Sequence, residues 1–396
     1  MDYLKINGRK ALRGEVDVSG GKNAALAIIA ASVLAGGPVQ LENVPYIEDV
    51  MVARDILLHL GANVGMPGGG MMFIDAARIQ NQPIPEKLSG RMRASYYFCP
   101  ALLTRFGEGA IAMPGGCAIG ERKIDQTVRG ISALGACVTD NRDMLEAYAP
   151  PGGMQGAEVY MDCVSVGATI NTMLAAVKAN GVTSIFNAAR EPHIVDVANF
   201  LNSMGAQVRG AGTAIIRVTG VDNLRGTRYT VVPDQIETGT MMIAAAATGG
   251  DVVVKGAIPV HMEALNAKLT EAGCMVTEYD DAIRVVGPPR PKPANVTTLP
   301  YPGFPTDLQQ PFTTMLTVAN GTSIVNETVF DSRFRYLNEL RRMGAHYTLL
   351  DRVALVEGVE ALSPARVHVP DLRAGAALVV AGLMAEGETL VGNVHY

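Results

Sequence analysis

The residues able to do chemistry in this chain cluster in a few short turns. Ser19-Gly20-Gly21-Lys22-Asn23 runs straight into the apolar stretch Ala24-Ala25-Leu26. Glycines ahead of a helix leave backbone N–H groups free for an anion, and Lys22 adds positive charge. The GxxxxGK[ST] spacing of a Walker A loop is absent. Two readings stay open: a phosphate cradle, or a capped turn with a solvated lysine. Cys117 stands in Met113-Pro114-Gly115-Gly116-Cys117-Ala118-Ile119-Gly120, off any periodic apolar face, and Arg122 lies just beyond it. A nearby guanidinium favours the reactive thiolate. The alternative is a small buried hydrophobe, which is the expectation for Cys137 and Cys274; Cys99 and Cys163 carry no signal. Gly303-Phe304-Pro305-Thr306-Asp307 precedes an apolar helical stretch, where Asp is a favoured N-cap. Asp371-Leu372-Arg373 occupies a matching turn, and Arg333 and Arg93 also precede helical segments. A lone arginine is ordinarily a surface residue, but several at corresponding turns could serve one anionic ligand.

These turns recur because the chain repeats itself. A helix ending in glycine and followed closely by a strand appears at His59-Leu60-Gly61-Ala62-Asn63-Val64, and again around Gly135, Gly205, Gly273 and Gly344. Glycine there fits a left-handed helix C-cap. Ile194, Val197, Leu201 and Met204 form one buried stripe before such a cap, as do Met262, Leu265, Leu269 and Ala272. Upstream of each cap, a second helix is predicted over 23–34, 95–105, 168–179, 238–247, 308–318 and 375–385. Each is followed by a strand, beginning near residues 38, 110, 183, 251, 322 and 388. The unit is strand, helix, strand, helix, strand. Six upstream helices but five caps predict that the sixth unit is truncated. A three-plus-three grouping divides the chain near 224–227, and the proline-rich run 287–293 reads as an exposed loop.

The bulk properties agree with a many-element globular chain. Of 396 residues, 48% are apolar and 18% charged, enough for a sizeable core and against wholesale disorder. A net charge of −5 lacks the basic footprint of a nucleic-acid binder, and 5% aromatics without tryptophan argues against single-strand stacking. The N-terminus has no signal-peptide core, and no apolar run is long enough to span a bilayer. Five cysteines without CxxC spacing suggest neither zinc nor a redox pair, and read as a reduced, cytoplasmic chain.

The turn at 19–23, the Pro114–Arg122 loop, Phe304-Pro305-Thr306-Asp307 and Asp371-Leu372-Arg373 together resemble the UDP-N-acetylglucosamine 1-carboxyvinyltransferases (MurA) of the enolpyruvyl transferase family, over essentially the whole chain. The resemblance implies an α/β fold, a two-domain inside-out α/β barrel of six repeated β-α-β-α-β units, three per domain, with helices in the core. It implies one domain from 1–21 plus 232–396 and a second from 22–231 that carries the Cys117 loop. The implied activity transfers the enolpyruvyl group of phosphoenolpyruvate to the 3′-hydroxyl of UDP-N-acetylglucosamine and releases phosphate, the first committed step of peptidoglycan synthesis and the target of fosfomycin.

Carried over by position, Lys22, Asn23, Arg122, Arg333 and Arg373 hold phosphoenolpyruvate. Cys117 is the general acid and can form a covalent adduct. Asp307 assists deprotonation of the sugar hydroxyl. Arg93, Arg122, Lys123, Ile124, Asp125, Gln126, Ser165, Val166, Gly167 and Val329, with Asp307, contact the nucleotide sugar. No metal or organic cofactor is implied, and no nucleic-acid, membrane or protein partner. The sequence departs from the family at Lys123, Thr127, Cys163 and Gln235, and lacks a following Arg-Gly-Tyr segment that supplies a further arginine. Two alternatives follow: a paralogue acting on another nucleotide sugar, or a non-catalytic paralogue that binds nucleotide sugar and regulates.

Overall fold

The computed structural model describes residues 3–115, 123–141 and 143–394. The described residues divide into two compact units, one of 3–18 with 233–394, the other of 19–115 with 123–232. The changeovers fall at 18/19 and 232/233, not the 21/22 and 231/232 expected from the resemblance. The physical cause is local. Gly21 donates its N–H to the Val232 carbonyl at 2.7 Å, and Gly20 packs directly on the Asn43 backbone, so residues 19–21 sit with the second unit.

Each unit has its own apolar core. In the 19–232 unit the helices Lys22–Ala31, Phe98–Phe106 and Val166–Ala176 form its centre; every residue of the first from Ala24 onward is buried. A helix apolar on all sides has nowhere to go but a core. In the other unit Gln235–Ala247, Thr306–Leu316 and Leu372–Met384 pack on one another in the same way. The five cap glycines all adopt left-handed φ, from 87° at Gly344 to 105° at Gly205.

The described strands form six sheets, three in each unit. Where one strand is expected after each cap, the structure has a hairpin, such as Asn63–Gly68 with Met71–Asp75, or Met275–Glu278 with Ala282–Val286. Glycines such as Gly68, Gly69 and Gly70, all at positive φ, let the chain reverse tightly enough for the second strand. In four sheets a further strand joins in parallel. Arg13–Asp17 pairs with Asp251–Lys255, and Thr227–Thr230 with Val39–Glu42. The strand before each of these two changeovers therefore completes a sheet far from it in sequence. The sheet of the unit expected to be truncated has three strands: Tyr3–Asn7 pairs antiparallel with Glu388–Gly392, which pairs in parallel with Arg366–His368. No helix among the described residues is long and apolar enough to cross a membrane.

Candidate active site

In the 233–394 unit the chemistry gathers around Asp307. The helix Thr306–Leu316 starts after Pro305, with Asp307 in its first turn and no side-chain cap. The N-cap expectation for Asp307 is therefore wrong, because two guanidiniums claim its carboxylate instead. Arg373 donates to Oδ2 through both Nε at 2.9 Å and Nη2 at 2.7 Å, two charge-assisted bonds on one oxygen. Arg333 donates to Oδ1. Arg373 is placed by its neighbour Asp371, whose carboxylate caps Leu372–Met384 by accepting from the N–H groups of Arg373 at 3.0 Å and Ala374 at 3.1 Å.

The two arginines differ in access. The Arg333 side chain is 2% exposed, with its guanidinium 5.2 Å from the centre of the Phe330 ring; Arg373 is 20% exposed. A cation as buried as Arg333 persists only with its counter-ion beside it. Of the two guanidiniums, that of Arg373 is the more accessible.

In the 19–232 unit, Lys22 begins the helix Lys22–Ala31 and its Nζ donates to Asp49 at 3.1 Å. Asn23 beside it is exposed. The turn holding Lys22 depends on Gly20: a Cβ there would overlap the Asn43 carbonyl oxygen, a backbone atom unable to swing aside. Gly20→Ala should therefore displace the turn and lower the melting temperature; an unchanged melting temperature would remove Gly20 from this role.

The residues expected at the nucleotide sugar lie at the starts of core and cap helices in this unit. Arg93 opens the short turn Arg93–Tyr97, its guanidinium 5.5 Å over the Tyr96 ring, which stacks on Tyr97. Ser165 caps Val166–Ala176 by accepting from Ala168 N–H at 3.3 Å. Gly167 follows on the same turn, where a Cβ would overlap the Tyr96 hydroxyl, so Arg93 and Ser165-Val166-Gly167 are neighbours through Tyr96. Lys123 is exposed and Ile124 buried just before the helix Asp125–Ala133. Gln126 donates to Asp125 at 2.9 Å and accepts from Asp162 N–H at 2.9 Å, tying that helix start to the segment before Ser165. Val329 is in the other unit, 38% exposed, close in sequence to Arg333. Cys117 and Arg122 lie outside the described residues.

The other thiols divide clearly. Cys99 and Cys274 are buried, and desolvation pushes both up to about 12. Cys163 is exposed, its thiol raised by partial desolvation and then by the charges of Asp125 and Asp162. Cys137, expected to be buried like Cys274, is exposed: it opens the outer strand Cys137–Asp140 on the solvent side of its hairpin. Among the described residues no group of three or more His, Cys, Asp or Glu is placed to hold a metal ion.

Sequence reasoning missed Glu327. It is 1% exposed, and its carboxylate accepts four hydrogen bonds. Oε1 takes the Thr298 hydroxyl at 2.9 Å and the N–H groups of Val329 and Phe330 at 2.8 and 3.1 Å; Oε2 takes the Thr306 hydroxyl at 2.9 Å. Asn326-Glu327-Thr328 reads as an ordinary polar strand end, so only burial could have marked it out. Asp196 was missed for the same reason. It is buried, accepts from the Tyr229 hydroxyl at 2.6 Å and from Val232 N–H at 3.1 Å, and desolvation raises its carboxyl above the usual range. Since Val232 receives the Gly21 N–H, Asp196 anchors the segment against which the Lys22 turn is fixed.

Known proteins resemble this chain over its length. The family model described as EPSP synthase (3-phosphoshikimate 1-carboxyvinyltransferase) matches residues 6–396. A protein named UDP-N-acetylglucosamine 1-carboxyvinyltransferase 3, from Caldanaerobacter subterraneus subsp. tengcongensis, is 51% identical over 396 residues, covering 100% of this chain and 94% of that protein. One named UDP-N-acetylglucosamine 1-carboxyvinyltransferase 2, from Bacillus cereus, is 49% identical over 396 residues, covering 100% of this chain and 92% of its own. Among solved structures, the enolpyruvyl transferase NikO from Streptomyces tendae superposes with a TM-score of 0.87, at 24% identity, over 99% of this chain and 93% of that one, a likeness of fold. The α/β architecture and the full-length relatedness agree, and the chain belongs to the enolpyruvyl transferase family, among the relatives of the UDP-N-acetylglucosamine 1-carboxyvinyltransferases.

Proposed function

We propose that this protein is an enolpyruvyl transferase that moves the enolpyruvyl group of phosphoenolpyruvate onto the 3′-hydroxyl of UDP-N-acetylglucosamine and releases phosphate. The observation that carries this reading is 51% identity along the entire chain to a protein named for that activity. The arginine pair on Asp307 supports it, since phosphoenolpyruvate brings a phosphate and a carboxylate that fixed cations must match. In this reading the six sheets and six core helices are six repeats of one unit, three in each inside-out barrel.

Each residue then has a task the chemistry requires. Lys22, Asn23, Arg122, Arg333 and Arg373 meet phosphoenolpyruvate; Arg333, buried on Asp307, contributes through its field and by holding that carboxylate. Cys117 gives a proton to C3, which makes C2 electrophilic, and its sulfur can add to C2. Asp307 draws the proton from the sugar hydroxyl as its oxygen bonds C2. The C2–O bond to phosphate then breaks, and C3 returns a proton to the Cys117 thiolate, which restores both the double bond and the thiol. Arg93, Lys123, Ile124, Asp125, Gln126, Ser165, Val166, Gly167 and Val329 meet the nucleotide sugar. This reading puts the protein in the cytoplasm at the first committed step of peptidoglycan synthesis.

The deciding experiment is phosphate release by the purified chain given phosphoenolpyruvate, with and without UDP-N-acetylglucosamine. Release should require both compounds, and mass spectrometry should find the sugar heavier by one enolpyruvyl group. Binding of the nucleotide sugar with no turnover under any condition would replace this reading with that of a regulatory binding protein.

A further inference from the structure

We propose that Glu327 is the positioning residue for Asp307 and Val329, a buried staple that sets both the proton-transfer carboxylate and a nucleotide-sugar contact. This rests on the proposed role of Asp307. Glu327 directly follows the strand Thr322–Asn326, and its carboxylate joins three separate segments. On one side is Thr298, whose hydroxyl donates to Glu327 and accepts from Thr328 N–H at 2.9 Å. On another is Thr306, the residue before Asp307, at the first position of its helix. The third is the turn 327–330, whose N–H groups at Val329 and Phe330 point at Oε1.

Those segments carry the two ends of the Asp307–Arg333 pair. Thr306 fixes the helix start from which Asp307 projects, and Phe330 lies against the Arg333 guanidinium. Gln310, one helical turn beyond Thr306, donates to the Arg333 carbonyl at 3.0 Å and so closes the far side of the same frame. An ionised carboxylate is an acceptor-only group, and these four partners are all donors, so the group matches its surroundings without a cation. A carboxylate this buried is costly unless every bond is made, which explains why the three segments are held in one register. Oε2 serves the Asp307 helix and Oε1 the Val329 turn, so the two functions can be separated by mutation.

The test uses the full chain and four variants, with wild-type phosphate release measured first. No wild-type turnover would refute the proposed function, a result distinct from any below. Thr306→Val removes the Oε2 bond while keeping the side chain's shape. It should lower kcat by about tenfold or more, because displacement of a catalytic group by a fraction of an ångström is enough for such a loss, with KM for UDP-N-acetylglucosamine little changed. Glu327→Asp, too short to span the segments, should lower kcat and raise that KM together. Glu327→Gln should restore most of both: its amide oxygen serves the Oε1 partners and the Thr306 hydroxyl can turn to accept from the amide nitrogen. Thr306→Ser, which keeps the hydroxyl, should behave as wild type. Unchanged kcat in Thr306→Val and Glu327→Asp would overturn the proposal. So would a Glu327→Gln protein as impaired as Glu327→Asp yet equally folded, because the charge of Glu327 rather than its placement would then matter.

Discussion

Replacing Asp307 with Asn should lower turnover by about 10²–10⁴-fold, the usual contribution of a positioned general base, while leaving the chain folded. Asn keeps one oxygen for a guanidinium but cannot accept the hydroxyl proton. Asp307→Ala should lose the same activity and a good deal of stability besides. The Arg333 side chain, 2% exposed, would then hold a buried charge with no carboxylate beside it. Removing one partner from a buried pair costs about 3–5 kcal/mol. The upper part of that range is not expected, because the Asp307 side chain is 25% exposed and water can enter in its place. Phosphate release and thermal melting measured on both variants separate the two effects. Asp307→Asn activity within a few-fold of wild type would show that another group takes the proton. An Asp307→Ala melting point equal to that of Asp307→Asn would show that Arg333 finds a new partner or reaches solvent.

How far the sequence could lead to this site depends on what each feature rests on. The cap glycines were legible because only a left-handed backbone explains glycine at the same place in five segments, and all five have it. The core helices were legible from their apolar content and their repeated place before a strand, with boundaries within about three residues, the expected blur of helix ends. Asp307 shows where local rules fail. Its position and type both argue for an N-cap, yet two arginines from 26 and 66 residues away outbid the backbone N–H groups. A guanidinium brings a full opposite charge to the carboxylate, whereas the N–H groups of a helix start are neutral donors, but nothing in a linear sequence shows which cations will arrive. Cys137 fails for the opposite reason: it shares a repeated context with the buried Cys274, yet starts an outer strand facing water. Glu327 and Asp196 were invisible because a buried carboxylate has the same letters as an exposed one. The pairing of Tyr3–Asn7 with Glu388–Gly392 joins the two ends of the described chain, beyond the reach of any repeat count.

Cys117→Asp should keep measurable turnover and escape fosfomycin, whereas Cys117→Ala should lose about 10²–10⁴-fold in rate, the range expected for removing a general acid. A carboxylic acid can still deliver a proton to C3, but it is far less nucleophilic than a thiolate toward an epoxide. The four other cysteines make the wild-type experiment sharp. At pH 7.5, Cys99 and Cys274 are buried and almost wholly protonated, with thiols at about 12, so neither should take label before unfolding. Cys163 is exposed, but its raised thiol slows it, and Asp125 and Asp162 oppose formation of the thiolate. Cys137 is exposed and serves as the internal reference. Peptide mass spectrometry after brief fosfomycin treatment should find one adduct per chain, on Cys117. Adding UDP-N-acetylglucosamine should change the rate of that adduct and not the rate at which a general alkylating reagent reaches Cys137. An adduct on Cys137 or Cys163 with Cys117 unmodified would remove Cys117 from the acid role. A Cys117→Ala protein with normal turnover would do the same, and the proton for C3 would then have to come from another group.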